Sequence, residues 1–286
     1  VSGSALFRYP NQLNFLLKVA MRKPVVNIAV QAARRAGKVI LSSLNKLDAL
    51  RVVDKDRFDF ATDVDQKAEV EIIKELSKAY PDYAIMGEET GGRLGEARYT
   101  WVIDPLDGTS NFMRGLPHFS VSIALLDDGV PIHGVVYDPV RDEVFTASKG
   151  SGAFLNDRRV RIGQRASLEG ALLCTGFPYR QRKKLPSQLR MIKQLLEEAE
   201  DLRRTGSAAL DLSYVACGRL DGFFEYGLKL WDMAAGALIV REAGGVCTGF
   251  TGDDNYLSHG DLIAANLKLA AKLVSIIKPN KTEEKS

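Results

Sequence analysis

One short stretch sets the terms for any fold this chain can adopt. Trp101-Val102-Ile103 is an unbroken apolar run that reads as a buried strand, and it leads directly into Asp104-Pro105-Leu106-Asp107-Gly108-Thr109-Ser110-Asn111-Phe112. Pro105 and Gly108 force a turn there, so a buried strand ends in two aspartates. Carboxylates at a strand end, followed by a turn with free backbone N–H groups and small polar side chains, suit a divalent cation and a phosphate held side by side. On this stretch alone Asp104 and Asp107 are equally readable as turn formers. The other segments decide.

Composition narrows the classes. The 286 residues are 45% hydrophobic and 26% charged, ordinary for a globular protein with a sizeable core. A net charge of +3, from 39 basic and 36 acidic residues, is too balanced to predict direct nucleic-acid binding. Cys174, Cys217 and Cys247 lie far apart, with neither CxxC spacing nor a disulfide framework, which favours a reducing, cytoplasmic location. No apolar run is long enough to span a bilayer, so no membrane association is expected. Residues 1–20 contain Phe15-Leu16-Leu17 but are interrupted by Arg8, Pro10 and Asn14, which does not make a signal peptide. They are read as a disordered tag or upstream extension, because Met21 directly precedes a clean helical pattern.

Along the chain, residues 25–47 carry apolar or small side chains at helical spacing. Residues 50–60 are charged and irregular around Asp54-Lys55-Asp56-Arg57 and read as a mobile loop or a short hairpin. A second helix opens at Thr62-Asp63-Val64-Asp65-Gln66, with Asp63 the expected N-cap and Gln66 completing a capping box; Pro81 ends it. Asp65, in the first turn, either complements the helix dipole or is placed to work on a water. Ala84-Ile85-Met86 is a short strand, and the following Gly87-Glu88-Glu89-Thr90 either supplies a metal ligand or is a solvated loop. Residues 119–154 form an antiparallel meander with turns at Asp127-Asp128-Gly129 and Asp138-Pro139. His118 and His133 are lone histidines with structural roles, and no His–Cys metal spacing exists.

The second half starts with a buried strand at 171–177. Arg180-Gln181-Arg182-Lys183-Lys184 reads as a solvated basic loop ahead of an anion or RNA contact, and an amphipathic helix follows at 187–199. Leu202-Arg203-Arg204-Thr205 then enters Gly206-Ser207-Ala208, a strand, small-residue turn and helix start suited to an anion, where Arg203 or Arg204 could add charge. The strand at 221–227 carries Glu225 among aromatics, and a lone buried acid needs a partner. Trp231-Asp232-Met233 opens a helix stopped by Gly244-Gly245. A strand at 262–266, a helix at 267–277 and a flexible tail at 279–286 complete the chain.

Glu88, Asp104, Asp107 and Asp232 thus all fall at strand ends or helix starts, where ligands gather in layered α/β proteins. Oxygen donors without Cys or His fit Mg²⁺ rather than Zn²⁺. Acids this dense repel one another unless cations are present. Two ions about 4 Å apart can clamp an in-line displacement at phosphorus.

Gly87-Glu88-Glu89, the stretch from Trp101 through Asp104-Pro105-Leu106-Asp107-Gly108-Thr109 to Phe112, and Trp231-Asp232-Met233-Ala234-Ala235-Gly236 resemble the signature motifs of the inositol monophosphatase family. The resemblance covers about residues 21–278. It is closest to a bacterial branch of the family, through Leu202-Arg203-Arg204-Thr205-Gly206-Ser207-Ala208-Ala209-Leu210-Asp211-Leu212 and Asp221-Gly222-Phe223-Phe224-Glu225. The one variation, Ser110 where Thr is common, keeps the hydroxyl.

The resemblance implies an α/β fold, an αβαβα five-layered sandwich spanning residues 21–278, with an N-terminal subdomain at about 21–165 carrying the metal motifs and a C-terminal one at about 166–278. It implies a homodimer and Mg²⁺-dependent, Li⁺-sensitive hydrolysis of a small phosphate monoester, with two or three Mg²⁺ ions per site. On this reading Glu88, Asp104 and the Leu106 carbonyl hold the first ion, and Asp104, Asp107 and Asp232 the second; a third, weaker ion uses Glu88. Asp65 and Thr109 orient and deprotonate the attacking water. Gly108 and Thr109 N–H groups bind phosphate beside Leu106 and Asp107. Glu225, Ala208 and Arg203 face the inositol ring, and Asp232 helps protonate the leaving alkoxide. Lys55 matches a mobile-loop lysine near the metals. Inositol 1-phosphate is the leading substrate; fructose 1,6-bisphosphate, 3′-phosphoadenosine 5′-phosphate and histidinol phosphate are cleaved by relatives. The bacterial branch is also associated with the transcription machinery through protein contacts, which makes a protein-binding role the competing reading.

Overall fold

The computed structural model describes residues 23–44, 52–56, 59–95, 97–178 and 181–278. The expectations for residues 1–20, for Arg180, for the tail at 279–286 and for the Lys55 side chain lie outside the described residues. Helix α1 (Pro24–Leu44) begins close to the expected position. The charged stretch after it contains a β-hairpin, β1 (Val52–Asp56) paired antiparallel with β2 (Asp59–Thr62). Helix α2 (Asp63–Ala79) follows.

A seven-stranded sheet comes next, in strand order identical to chain order. Its members are β3 (Ala84–Gly87), β4 (Tyr99–Asp107), β5 (Ser120–Asp127), β6 (Val130–Asp138), β7 (Glu143–Ser148), β8 (Gly152–Leu155) and β9 (Arg158–Val160). β3 and β4 run parallel, and the rest form the antiparallel meander. The short helix α3 (Thr109–Met113) joins β4 to β5. The later residues build β10 (Leu172–Thr175), α4 (Leu185–Leu196), β11 (Asp201–Arg203), α5 (Ala208–Ala216), β12 (Gly222–Glu225), α6 (Leu230–Glu242), β13 (Val246–Thr248), α7 (Tyr256–His259), β14 (Leu262–Ala265) and α8 (Leu267–Ile277). Their five strands form a second, mixed sheet in the order β11-β10-β12-β14-β13.

The layers follow from the two-residue period of a strand. In β4, Trp101 and Ile103 join the cluster built on α1 and α2, whereas Val102 turns to the opposite face and joins α5 and α6. β12 and β14 divide in the same way. Phe223, Leu262 and Ala264 meet α5 and α6, while Phe224, Ile263 and Ala265 meet α4 and α8. Each sheet therefore needs helices on both faces, and α5 and α6 serve both sheets at once. The order is α1/α2, seven strands, α5/α6, five strands, α4/α8: the expected five-layered α/β sandwich.

One local expectation is corrected. Asp63 is not the cap of α2. Thr62 is, because β2 delivers it in extended conformation (φ −120°, ψ 165°). Its Oγ1 accepts from Val64 N at 3.1 Å, and the Asp65 carboxylate accepts from Thr62 N at 2.8 Å. The capping box is thus Thr62–Asp65, not Asp63–Gln66. Asp63 instead accepts from Lys67 one turn on, at 2.5 Å. All three cysteines are free thiols, with Cys174 and Cys247 buried.

Candidate active site

Asp104 and Asp107 are three residues apart on one strand, which in a regular strand puts them on opposite faces. The pairing of β4 with β5 prevents that. Asp104 lies opposite Ser122, but Asp107 lies opposite Ser120, so β4 carries one extra residue between them. This bulge at Pro105-Leu106 resets the alternation and sends both carboxylates to one cavity of about 330 Å³. Gly108 follows at φ +102°, and a Cβ there would sit 3.1 Å from His118 O and 3.2 Å from Gly206 O. Only glycine makes this turn without strain, and it starts α3 at Thr109.

Glu88, Asp104, Leu106, Asp107, Gly108, Thr109, Ala208, Glu225 and Asp232 all line this cavity. They arrive from distant segments. Glu88 follows β3 and is held beside β4 by its N–H to Ile103 O, 3.1 Å. Asp232 lies in the first turn of α6 and accepts from Lys229 N at 2.7 Å. Asp104 Oδ1 accepts from Leu106 N at 3.0 Å. Asp107 Oδ2 accepts from Ser207 Oγ at 2.6 Å and Ala209 N at 2.8 Å, which ties the first strand end to the start of α5. Glu225, at the end of β12, leaves no room for a side chain on Gly176: a Cβ there would lie 2.1 Å from its Oε1.

Asp65 stands one layer back, 1% exposed and off the cavity wall. It reaches the cavity through Thr109, whose hydroxyl lies 2.9 Å from Asp65 Oδ1 and 3.0 Å from Leu106 O. Arg203 is not brought to the site. It is exposed at the sheet edge and paired with Asp201, while its neighbour Arg204 lines the cavity. Adjacent residues at a strand end point opposite ways, and the Arg203-Arg204 pair does not show in sequence which one faces in.

Several cavity residues had no assigned role in the sequence. Ser207 caps α5, accepting from Leu210 N, and also donates to Asp107. Asp211, one turn further on, lines the cavity and accepts from Thr205 Oγ1 at 2.5 Å. The signal available was helical: Ser207 and Asp211 are four residues apart, hence on one face. Glu69 is fully buried on α2, one turn after Asp65, and accepts from Glu89 N at 3.1 Å in the loop that carries Glu88. Nothing in the sequence singled it out, because helix period alone does not reveal a loop folding over that face.

The electrostatics have one theme. Burial, then the charges of Glu88, Asp107 and Asp232, hold Asp104 well above the ordinary carboxylate range. Burial lifts Asp107 to about 6 despite the Ser207 and Ala209 donors, and lifts Asp65 to about 6 against the Thr62 and Thr109 bonds. Asp211 is raised to about 8, chiefly by burial. Glu225 is also well above its usual value; burial raises it most, while Arg204 opposes the rise. Among the described residues no three acids, histidines or cysteines are yet drawn together closely enough to hold an ion. The donor set nevertheless fits hard cations: all oxygen, buried apart from the half-buried Glu88, and destabilised by its own negative charge.

The profile of the inositol monophosphatase family matches residues 21–281. Nus factor SuhB of Xylella fastidiosa is 54% identical over 263 residues, covering 90% of this chain and 95% of that protein. The crystal structure of extragenic suppressor protein SuhB from Bartonella henselae superposes with a TM-score of 0.87 at 42% identity, over 90% of this chain and all of that one. Inositol monophosphatase from Anabaena superposes with a TM-score of 0.79 at 33% identity, over 96% of this chain. With the five-layered fold, the acid-lined cavity and a match across nearly all the described residues, this chain belongs to the inositol monophosphatase family.

Proposed function

We propose that the chain is a Mg²⁺-dependent, Li⁺-sensitive phosphatase that hydrolyses inositol 1-phosphate to inositol and phosphate. The observation that carries this reading is Asp104: a 2%-exposed carboxylate among three further acids on a cavity whose rim is a Gly-Thr turn. Glu88, Asp104 and the Leu106 carbonyl would hold one ion, Asp104, Asp107 and Asp232 the second, and Glu88 a third, weaker one. Bound there, Mg²⁺ supplies Lewis acidity to the phosphoryl group and makes a water a stronger acid.

The chain's own groups do the remainder. The Gly108 and Thr109 N–H groups hold the phosphate at the start of α3. Thr109 Oγ1 accepts a proton from the attacking water as it passes its own to Asp65 Oδ1, 2.9 Å away. An acid lifted to about 6 by burial is a stronger base than an ordinary aspartate and still ionised at neutral pH. Asp232 delivers a proton to the departing alkoxide through a water. Glu225 and Ala208 face the alcohol. The chain works as a homodimer of such units.

Asp65→Asn keeps an acceptor for Thr62 N but loses the base. Steady-state kinetics are expected to show kcat reduced about 10²–10⁴-fold with KM little changed, since Asp65 does not line the cavity. The reading itself is tested by comparing turnover of inositol 1-phosphate, fructose 1,6-bisphosphate, 3′-phosphoadenosine 5′-phosphate and histidinol phosphate with Mg²⁺, and with millimolar Li⁺ added. Inositol 1-phosphate is expected to be the best substrate and Li⁺ to inhibit. Cleavage of the nucleotide alone would overturn the assignment.

A second reading rests on the name of the curated relative, a Nus factor. A protein contact with the transcription machinery would then be the cell's main use of the chain. Asp104→Asn separates the two: if a strain lacking the gene is rescued by a variant that cannot hydrolyse, binding is the essential role.

A further inference from the structure

Asp211 is absent from the roles assigned so far, yet it sits in the same cavity as Glu225 and Arg204. Only Oδ1 is spent: it accepts from Thr205 Oγ1 at 2.5 Å, and among the described residues Oδ2 takes no hydrogen bond. Arg204 attracts both acids of this wall and its guanidinium lies 5.9 Å from the Phe177 ring centroid. Two acids and a guanidinium therefore line one cavity. A hydroxyl suits such a wall, because it both donates and accepts.

We infer that Asp211 is a specificity-determining residue that hydrogen-bonds a hydroxyl of the leaving alcohol, so that Glu225, Asp211 and Arg204 together select the phosphate ester of a polyhydroxy alcohol over one without hydroxyls. This rests on the phosphatase reading above. On this proposal Arg204 donates, Glu225 accepts, and Asp211 serves in either sense. Burial raises Asp211 to about 8, so at neutral pH it largely keeps a proton to give. A buried polar group left facing an alcohol without hydroxyls loses its partner, which costs about 1–3 kcal/mol and is how a site rejects a substrate that lacks the group.

The test compares kcat/KM for inositol 1-phosphate and for para-nitrophenyl phosphate, which has no hydroxyl. In Asp211→Ala the ratio of the two is expected to fall about tenfold or more, whereas Asp211→Asn, which still donates and accepts, should largely keep it. Thr205→Val, which removes the bond that Asp211 accepts, distinguishes recognition from support of the turn at 205–207. A positioning role would move the ratio equally in Thr205→Val, and that result overturns the inference, as does an unchanged ratio in Asp211→Ala. If the unaltered chain hydrolyses neither ester, the phosphatase reading has failed and the inference falls with it; if it hydrolyses both and the ratio is unmoved, the inference alone fails.

Discussion

Asp104→Asn is expected to hydrolyse phosphate esters about 10³-fold more slowly than the native chain, or not measurably, while its metal-free form melts at or above the native temperature. The two halves of this result have one cause. The Asp104 carboxylate is buried and faces the charges of Glu88, Asp107 and Asp232. Without cations that arrangement destabilises the fold; on the proposed assignment bound cations offset the repulsion. Asparagine removes the charge yet still accepts from Leu106 N, the bond Asp104 makes at 3.0 Å. The repulsion is relieved, and the ligand proposed to be shared by both ions is lost. Calorimetric melting with and without Mg²⁺ checks this. The native chain should gain stability from the ion through mass action, and the variant should gain little. A variant that is much less stable without metal would show that Asp104 is a structural acid.

Chelation is expected to abolish turnover, restored by added Mg²⁺, and to leave a protein whose stability falls as pH rises. In the folded chain Asp65 and Asp107 titrate at about 6 and Asp211 at about 8, against about 4 for an unfolded aspartate. Between those values the folded chain holds protons that the unfolded chain has released. Raising the pH therefore favours unfolding. The stabilisation is complete below about 4, falls from there upward, is spent for Asp65 and Asp107 above about 6 and for Asp211 above about 8. Each group still titrating contributes up to about 1.4 kcal/mol per pH unit. On the proposed assignment Mg²⁺ binds the ionised carboxylate of Asp107 and should flatten its part of the slope. Melting temperatures from about pH 5 to pH 9, in chelator and in Mg²⁺, measure it directly. Parallel slopes in the two series would contradict the assignment of Asp107 to a cation site.

The same acids show how far a one-dimensional reading reaches. Glu88, Asp104, Asp107 and Asp232 could be singled out because each follows an apolar run or opens a helix, and those positions are visible as composition and period. The five layers were legible through the family motifs, and each strand's alternation explains them. Arg203 shows where the method stops. In Arg203-Arg204 a shift of one residue exchanges inside for outside, and pairing in the sheet decides it. Asp63 shows the same at a helix end. It has the composition of a cap, but Thr62 arrives in the conformation a cap requires. Glu69 and Asp211 stayed unread because their burial depends on segments distant in sequence, the loop at Glu89 and the turn at Thr205.

The sequence by itself determined the kind of chemistry available: oxygen donors only, at the ends of buried strands, beside a glycine turn that suits a phosphate. Those are properties of residue type and local order. Whether Asp104 and Asp107 face the same way was decided only by the tertiary structure. The strand period separates them, and one extra residue opposite β5 reunites them. That bulge is a relation between two strands, so no pattern within residues 101–112 alone could reveal it.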